Sequence, residues 1–170
     1  MADVTRARWF GLSLAAFLAD QASKYAVEHF TPEAYRRTVI PGFFDLVHTH
    51  NPGVAFGILS DAESPWVGPA LILFSTMIIA GVAWMLALGH WGSARRNAGL
   101  ALILGGAFGN LVDRLLHDGV LDFADFYVGT QHWPAFNVAD SCIVVGAGLV
   151  MLEVMTDRSH VGAARPPMKQ

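Results

Sequence analysis

Two aspartates stand where a carboxylate has to be explained: Asp122, in Val120-Leu121-Asp122-Phe123, and Asp140, in Phe136-Asn137-Val138-Ala139-Asp140-Ser141. Asp140 lies inside a run apolar enough to span a bilayer. A carboxylate there costs roughly 2.5–3.5 kcal/mol even on an insertion scale, which makes it a functional-site candidate by default. Two carboxylates sharing a proton around a water are the minimal equipment of an aspartic protease. Like charges at close range cannot both ionise, so one remains an acid while the other serves as base.

The elements that must position this pair are greasy. The chain has 170 residues, 54% of them apolar and 15% charged, with mean hydropathy +0.42. That composition excludes an ordinary soluble domain and reads as a small polytopic membrane protein. A formal charge of −3, with no basic cluster interleaved with aromatics, argues against a nucleic-acid partner. Cys142 is the only cysteine, so there is no intrachain disulfide and no cysteine-based metal site. On its apolar stretch it reads as a small inert hydrophobe.

Four hydrophobic runs, about Trp9–Val27, Trp66–Leu88, Ala98–Leu116 and Ala135–Met155, approach the roughly 20 residues needed to cross a hydrocarbon core. Only the second is free of charge and can face lipid all round; the others must turn a polar face toward one another or toward water. A site is therefore expected among runs one, three and four. The expected fold class is a mainly α membrane protein: four transmembrane helices with a small β-rich region outside the membrane. One domain is expected over 1–157, including an outer loop at 28–65, with 158–170 a disordered cytoplasmic tail. Run one has a basic start and an apolar centre, but it leads into Asp20-Gln21-Ala22-Ser23-Lys24 without an evident cleavage site, and is expected to be a retained helix. No acyl-anchor signal is expected at either end.

Lysine and arginine set the orientation. Arg6, Arg8, Arg95, Arg96, Arg158, Arg165 and Lys169 give seven on one side; Arg36 and Arg37 give two on the other. The positive-inside rule places both termini in the cytoplasm and the 28–65 and 117–134 loops outside. Lys24 and Arg114 are left near the outer face. In the first loop, Ile40 to His50 mixes aromatic and β-branched residues with partial alternation, which suits short surface strands. Asn51-Pro52-Gly53 reads as a turn, with Val54–Leu59 following. Such a sheet can hold an extended substrate by strand addition, or the segment is a simple interfacial loop anchored by Phe43, Phe44 and Phe56.

Helical spacing gathers the polar groups. Asn110, Asp113 and Arg114 stand at i, i+3 and i+4; Asn137 and Asp140 at i and i+3; Asp20 and Lys24 form an i, i+4 pair with the acid first. Interhelical hydrogen bonds and buried ion pairs explain any one of them. Packing alone does not require so many costly groups at one depth.

These residues also carry a resemblance. Asp20-Gln21-Ala22-Ser23-Lys24, Asn51-Pro52-Gly53-Val54-Ala55-Phe56, Gly109-Asn110-Leu111-Val112-Asp113-Arg114, Val120-Leu121-Asp122-Phe123 and Trp133 to Ser141 are similar, in order, to the signature blocks of the bacterial lipoprotein signal peptidases, or signal peptidase II. The resemblance covers residues 20–141, nearly the whole folded chain. It implies an intramembrane aspartyl endopeptidase of the cytoplasmic (inner) membrane that removes prolipoprotein signal peptides, cutting just before the diacylglyceryl-modified cysteine. By motif, Asp122 and Asp140 match the catalytic pair, and Asn51, Asn110, Arg114 and Asn137 match polar residues around it. Asp20, Lys24 and Asp113 fall in signature blocks and are given support roles, with Arg114 expected to anchor Asp113 or a substrate carbonyl. The implied partners are diacylglyceryl-modified prolipoproteins, membrane lipids and peptide-like inhibitors such as globomycin; no cofactor is implied. Pro52, a departure within its block, touches no proposed catalytic group.

Other chemistries fit less well. His29, His48, His50, His90, His117, His132 and His160 form no His-Glu-x-x-His or comparable helical pair. His48 and His50 are at most neighbours on one side of a strand, so no metal is expected. A proton-coupled transporter would also use intramembrane Asp, Arg and Asn, but there is no evident internal repeat and the polar groups lie toward one face. A noncatalytic assembly factor would use them only to bind helices together.

Overall fold

A computed structural model describes residues 2–53, 66–88, 93–117 and 119–163, with side chains described over 6–53, 66–88, 93–117 and 119–156. The four apolar runs become α1 (Ala2–Phe30), α2 (Val67–Leu88), α3 (Ala94–Leu116) and α4 (Val138–Ala163). Between them lie β1 (Arg36–Ile40), β2 (Phe44–Asn51), β3 (Val120–Val128) and β4 (Gln131–His132), joined as one antiparallel sheet in the order β1-β2-β3-β4.

The helices depart from the expected runs in informative ways. α4 starts at Val138, later than the apolar run, because Asn137 caps it: the Asn137 side chain accepts the amide of Asp140 at 2.9 Å. It then continues to Ala163, past the Asp157 at which a tail was expected to begin. No proline arrives before Pro166 to end it. Residues 164–170 of that tail lie outside the described residues. Among the described residues, three helices are long and apolar enough to cross a membrane: Val67–Leu88, Ala94–Leu116 and the Val138–Thr156 part of α4. The sequence led to an expectation of four. α1 has the length, with 29 residues, but Asp20, Gln21, Ser23 and Lys24 dilute its hydropathy.

α3 is the axis of the bundle and packs on α1, α2 and α4. Of its most apolar stretch 56% is buried, against 17% for α4 and 6% for α2. The charge-free α2 accordingly turns Leu73, Met77, Trp84 and Met85 outward, a surface suited to lipid. Leu86 of α2 joins Leu100, Ala101 and Leu104 of α3 in the core, with Trp9, Leu12, Ile79 and Val82 against them. Close approach of α3 and α4 depends on glycine. A Cβ on Gly99 would stand 2.6 Å from the Gly146 carbonyl oxygen, a distance that side chains cannot tolerate, so small residues set the helix separation here.

The sheet covers one end of the bundle. β1 and β2 form a hairpin through Ile40-Pro41-Gly42-Phe43, closed by the Phe43 amide on the Ile40 carbonyl at 3.1 Å. Proline at the second position and Gly42 at φ 78 in the third are the type II turn pattern. Of the segment Ile40–His50 read as short strands, Phe44–His50 lies in β2, which runs on through Asn51, while β1 lies before the turn at Arg36–Ile40. β3 and β4 lie in the 117–134 connection, for which no strand was expected. The segment Val54–Leu59, with Phe56, and residues 60–65 and 118 lie outside the described residues, as does His90; His160 lies outside those whose side chains are described.

Candidate active site

The two aspartates come from different kinds of element. Asp122 sits on β3 opposite Thr49 of β2, so the side chain of Asn51, two residues along the same face, reaches it diagonally: Asn51 Nδ2 donates to Asp122 Oδ2 at 3.1 Å. Asp140 is in the first turn of α4, where a carboxylate complements the exposed amides and the positive end of the helix dipole.

Asn137 links them. Its Nδ2 donates to Asp122 Oδ1 at 2.8 Å and to the Leu121 carbonyl at 3.2 Å, while its Oδ1 accepts the Asp140 amide at 2.9 Å. The Asn137 amide in turn donates to Asp140 Oδ2 at 3.4 Å. This reciprocal arrangement is a capping box in which asparagine and aspartate replace the usual serine and glutamate. Asn110 Nδ2 donates to Asp140 Oδ1 at 2.8 Å. Each of the four carboxylate oxygens of the pair thus accepts a hydrogen bond from a fixed amide. Asp122 is buried, and that burial, with the Asp140 carboxylate second, pushes it up to about 7 despite the Asn51 and Asn137 bonds.

Beneath the pair is a buried ionic knot. Lys24 Nζ lies 2.8 Å from Asp20 Oδ2, 2.8 Å from Asp113 Oδ2 and 2.9 Å from Asn110 Oδ1. All three ammonium protons therefore have acceptors, the condition for carrying a charge in such a place. Gln21, which the sequence reading left without a role, bridges Asp20 and Asp113 through Nε2 at 3.2 and 3.1 Å. The knot reaches the pair through the backbone: Asp20 Oδ1 accepts the Ala139 amide at 2.8 Å, and Asp113 Oδ2 accepts the Leu121 amide at 3.3 Å. Asp20 thus orients the start of α4 and Asp113 the start of β3. Gly109 makes room, since any Cβ there would collide with the Asp20 carboxylate.

Arg114 does not hold Asp113, which Lys24 has taken. Its guanidinium donates to the Asn110 carbonyl at 3.3 Å and the Gly53 carbonyl at 3.4 Å, and its buried Nε has no hydrogen-bond partner among the described residues. Arg114, Asn51, Asn110, Asp122 and Asp140 line one cavity of about 590 Å³. The other walls are apolar: Leu71, Phe74 and Ile78 from α2, and Trp133 to Phe136 before α4. Such a chamber, greasy on its sides with two carboxylates and an arginine at one place, suits an amphiphilic chain whose polar bond must reach the acids.

A second cluster was not anticipated. Asp45 and Asp125 face each other across β2 and β3, and Arg36 neutralises both at 2.6 and 2.7 Å, with His132 at 3.0 Å from Asp125. Its trace in the sequence is the aromatic and β-branched content of Val120–Val128, where the odd spacing of 122 and 125 puts Asp125 off the strand face that carries Asp122.

Comparison with known proteins finds similar chains. The sequence profile described as signal peptidase (SPase) II matches residues 12–156. A lipoprotein signal peptidase of Solibacter usitatus is 42% identical over 154 residues, covering 87% of this chain and 92% of its own. One from Oleidesulfovibrio alaskensis is 43% identical over 156 residues, covering 88% and 97%. In fold, the chain is similar to a bacterial membrane enzyme solved by the in meso method at 2.3 Å resolution, with TM-score 0.80 and 24% identity over 96% of this chain and 95% of the other.

Proposed function

The chain belongs to the signal peptidase II family of aspartic peptidases, and from that premise we propose that Asp122 and Asp140 are its catalytic pair. The protein is a membrane-embedded hydrolase that cleaves signal peptides from prolipoproteins. The observation supporting the assignment of the pair is that both carboxylates open on one cavity while fixed amides hold all four of their oxygens.

One aspartate, ionised, takes a proton from a water as that water attacks the scissile carbonyl. The other, protonated, donates to the carbonyl oxygen, and a proton then passes to the leaving amine. The pair titrates as a unit. Asn51, Asn110 and Asn137 keep the carboxylates in register, Arg114 offers its free donors to a substrate carbonyl, and Asp20, Lys24 and Asp113 fix the two elements beneath. The scissile bond lies just before a diacylglyceryl-modified cysteine; the apolar wall of α2 and Trp133–Phe136 accommodates its acyl chains and the signal helix arriving from the bilayer. Peptide-like inhibitors such as globomycin would occupy the same cavity. All four helices cross the cytoplasmic membrane, α1 with its polar face turned onto α3, and the sheet lies on the outer face. Residues 1–157 act as one domain.

The test is cleavage of a purified diacylglyceryl-modified prolipoprotein in detergent, followed as a size shift on a gel. Asp122→Asn and Asp140→Asn, nearly isosteric but unable to act as base, should each abolish the shift while keeping the wild-type melting profile. Wild-type turnover by either folded variant removes that residue from the chemistry.

A further inference from the structure

Glu28, His48 and His50 converge away from the cavity, at the junction of the α1 C-terminus with β2. Their ligand-capable atoms all lie within 4.8 Å of one another. His48 Nε2 is 3.2 Å, and His50 Nε2 3.5 Å, from the same Glu28 Oε2. Two ligands at about 2.0–2.1 Å from a tetrahedral zinc stand about 3.3–3.4 Å apart, so both measured edges already have the coordination spacing. Glu28 and His50, with side chains 49% and 32% exposed, have room to close the third.

His48 supplies an independent reason to expect an occupant. Its side chain is only 2% exposed. Thr31 Oγ1 donates its single proton to the Val27 carbonyl at 2.7 Å. Toward His48 Nδ1, 3.0 Å away, that oxygen can only accept, as can the Thr31 carbonyl at 3.3 Å. Nδ1 therefore carries the ring proton, and in the neutral ring Nε2 presents a bare lone pair. That buried Nε2 has no hydrogen-bond partner among the described residues and faces the carboxylate of Glu28. Lone pair against carboxylate is repulsive unless something positive lies between. A proton can bridge one histidine to Glu28; a metal ion satisfies all three groups at once. The Nδ1 contact to Thr31 is the outer bond that orients a metal-bound imidazole, and the carbonyl end of α1 favours a cation.

We propose that Glu28, His48 and His50 form a divalent transition-metal site, of zinc-like preference, completed by water. Two imidazoles and one carboxylate suit zinc and disfavour magnesium, which prefers oxygen ligands. The site is structural: it ties α1 to β2 beside Asn51, whose amide holds Asp122. The sequence reading set His48 and His50 side by side on a strand at most and expected no metal. The glutamate from a helix that meets them is what spacing alone does not show.

The experiment uses the full chain in detergent, free of any polyhistidine tag and treated with chelator, titrated with Zn2+ and in parallel with Mg2+. Zn2+ should bind at one equivalent and raise the melting temperature, and Co2+ in its place should give the absorption bands of a tetrahedral N/O site; Mg2+ should do neither. Glu28→Gln and His50→Ala, both at exposed positions, should keep the metal-free melting temperature and basal cleavage but weaken Zn2+ binding by more than about tenfold, beyond what loss of an outer contact alone usually costs. Equal Zn2+ affinity in wild type and both variants overturns the proposal. So does a wild-type melting temperature that rises on acidification but is indifferent to Zn2+, which assigns a proton to the site.

Discussion

Lys24 shows how one side chain is made to tolerate burial. It has three donors and three acceptors, and two of those acceptors are carboxylates that would otherwise face each other uncompensated. Lys24→Met should therefore destabilise the protein by roughly 3–5 kcal/mol, the usual cost of breaking a buried pair from one side, read as a lowered melting temperature in detergent. An unchanged melting temperature would show that the knot is not ionised. Asp122 titrates in the opposite sense to a salt-bridged acid. Because the fold raises it to about 7, the folded state favours its protonated form. Its contribution to stability is full below the ordinary carboxylate range near 3.9 and is lost as pH climbs toward 7. The mechanism proposed for the pair needs one shared proton, so the cleavage rate should fall on the alkaline side with an apparent midpoint near that of Asp122. A flat pH–rate profile between 6 and 9, about a unit below and two above it, would contradict a shared proton.

At the level of elements, β2 does two separable jobs. One face presents Asn51 to Asp122; the other buries Asp45 against Arg36. Asn51→Ala leaves a carboxylate oxygen without its donor and should slow cleavage by the equivalent of about 1–3 kcal/mol, measured over a full substrate titration. Asp45→Asn should leave turnover near wild type and act on the sheet instead. Burial alone would raise the Asp45 carboxyl, but hydrogen bonds from Arg36, Thr38 and Tyr127 outweigh it and hold it below its ordinary value. Its stabilising contribution is therefore present above the ordinary carboxylate range and is lost as pH falls below it. The melting temperature of Asp45→Asn should lie below wild type at neutral pH and meet it in acid. Loss of cleavage in Asp45→Asn with normal cleavage in Asn51→Ala would reverse these assignments.

Across the whole molecule, the arrangement makes sense only if the sheet and the aspartates share one side of the membrane. In the topology proposed from the seven-to-two distribution of Lys and Arg, the α2–α3 connection lies in the cytoplasm and the sheet, at the opposite end of α3, outside. Reporter fusions at Arg95–Arg96 and after Asp157 should read cytoplasm; insertions near Asp61 or Asp118 should read the external side. An external C-terminus would overturn the four-span arrangement and with it the common depth of the polar groups.

Local pattern accounts for much of this protein. Apolar runs of spanning length locate the helices, and i, i+4 spacing suffices to pair Asp20 with Lys24, because helical neighbours are set by the backbone repeat. The signature blocks carry the family. Other features depended on chain segments far apart in sequence. Asp122 belongs to a strand because β3 finds β2, so that Asn51 reaches it across 71 positions; Asp20 meets the amide of Ala139 across 119. Neither contact has a period to betray it. Asn137 looked like a helix-face partner of Asp140 and is instead the cap that joins both aspartates, a role that exists only where α4 begins beside β3. Sequence thus determined which groups had to leave water together, through the cost of burying them; tertiary packing alone decided which atom faces which, because hydrogen bonds and ion pairs are settled over a few tenths of an ångström.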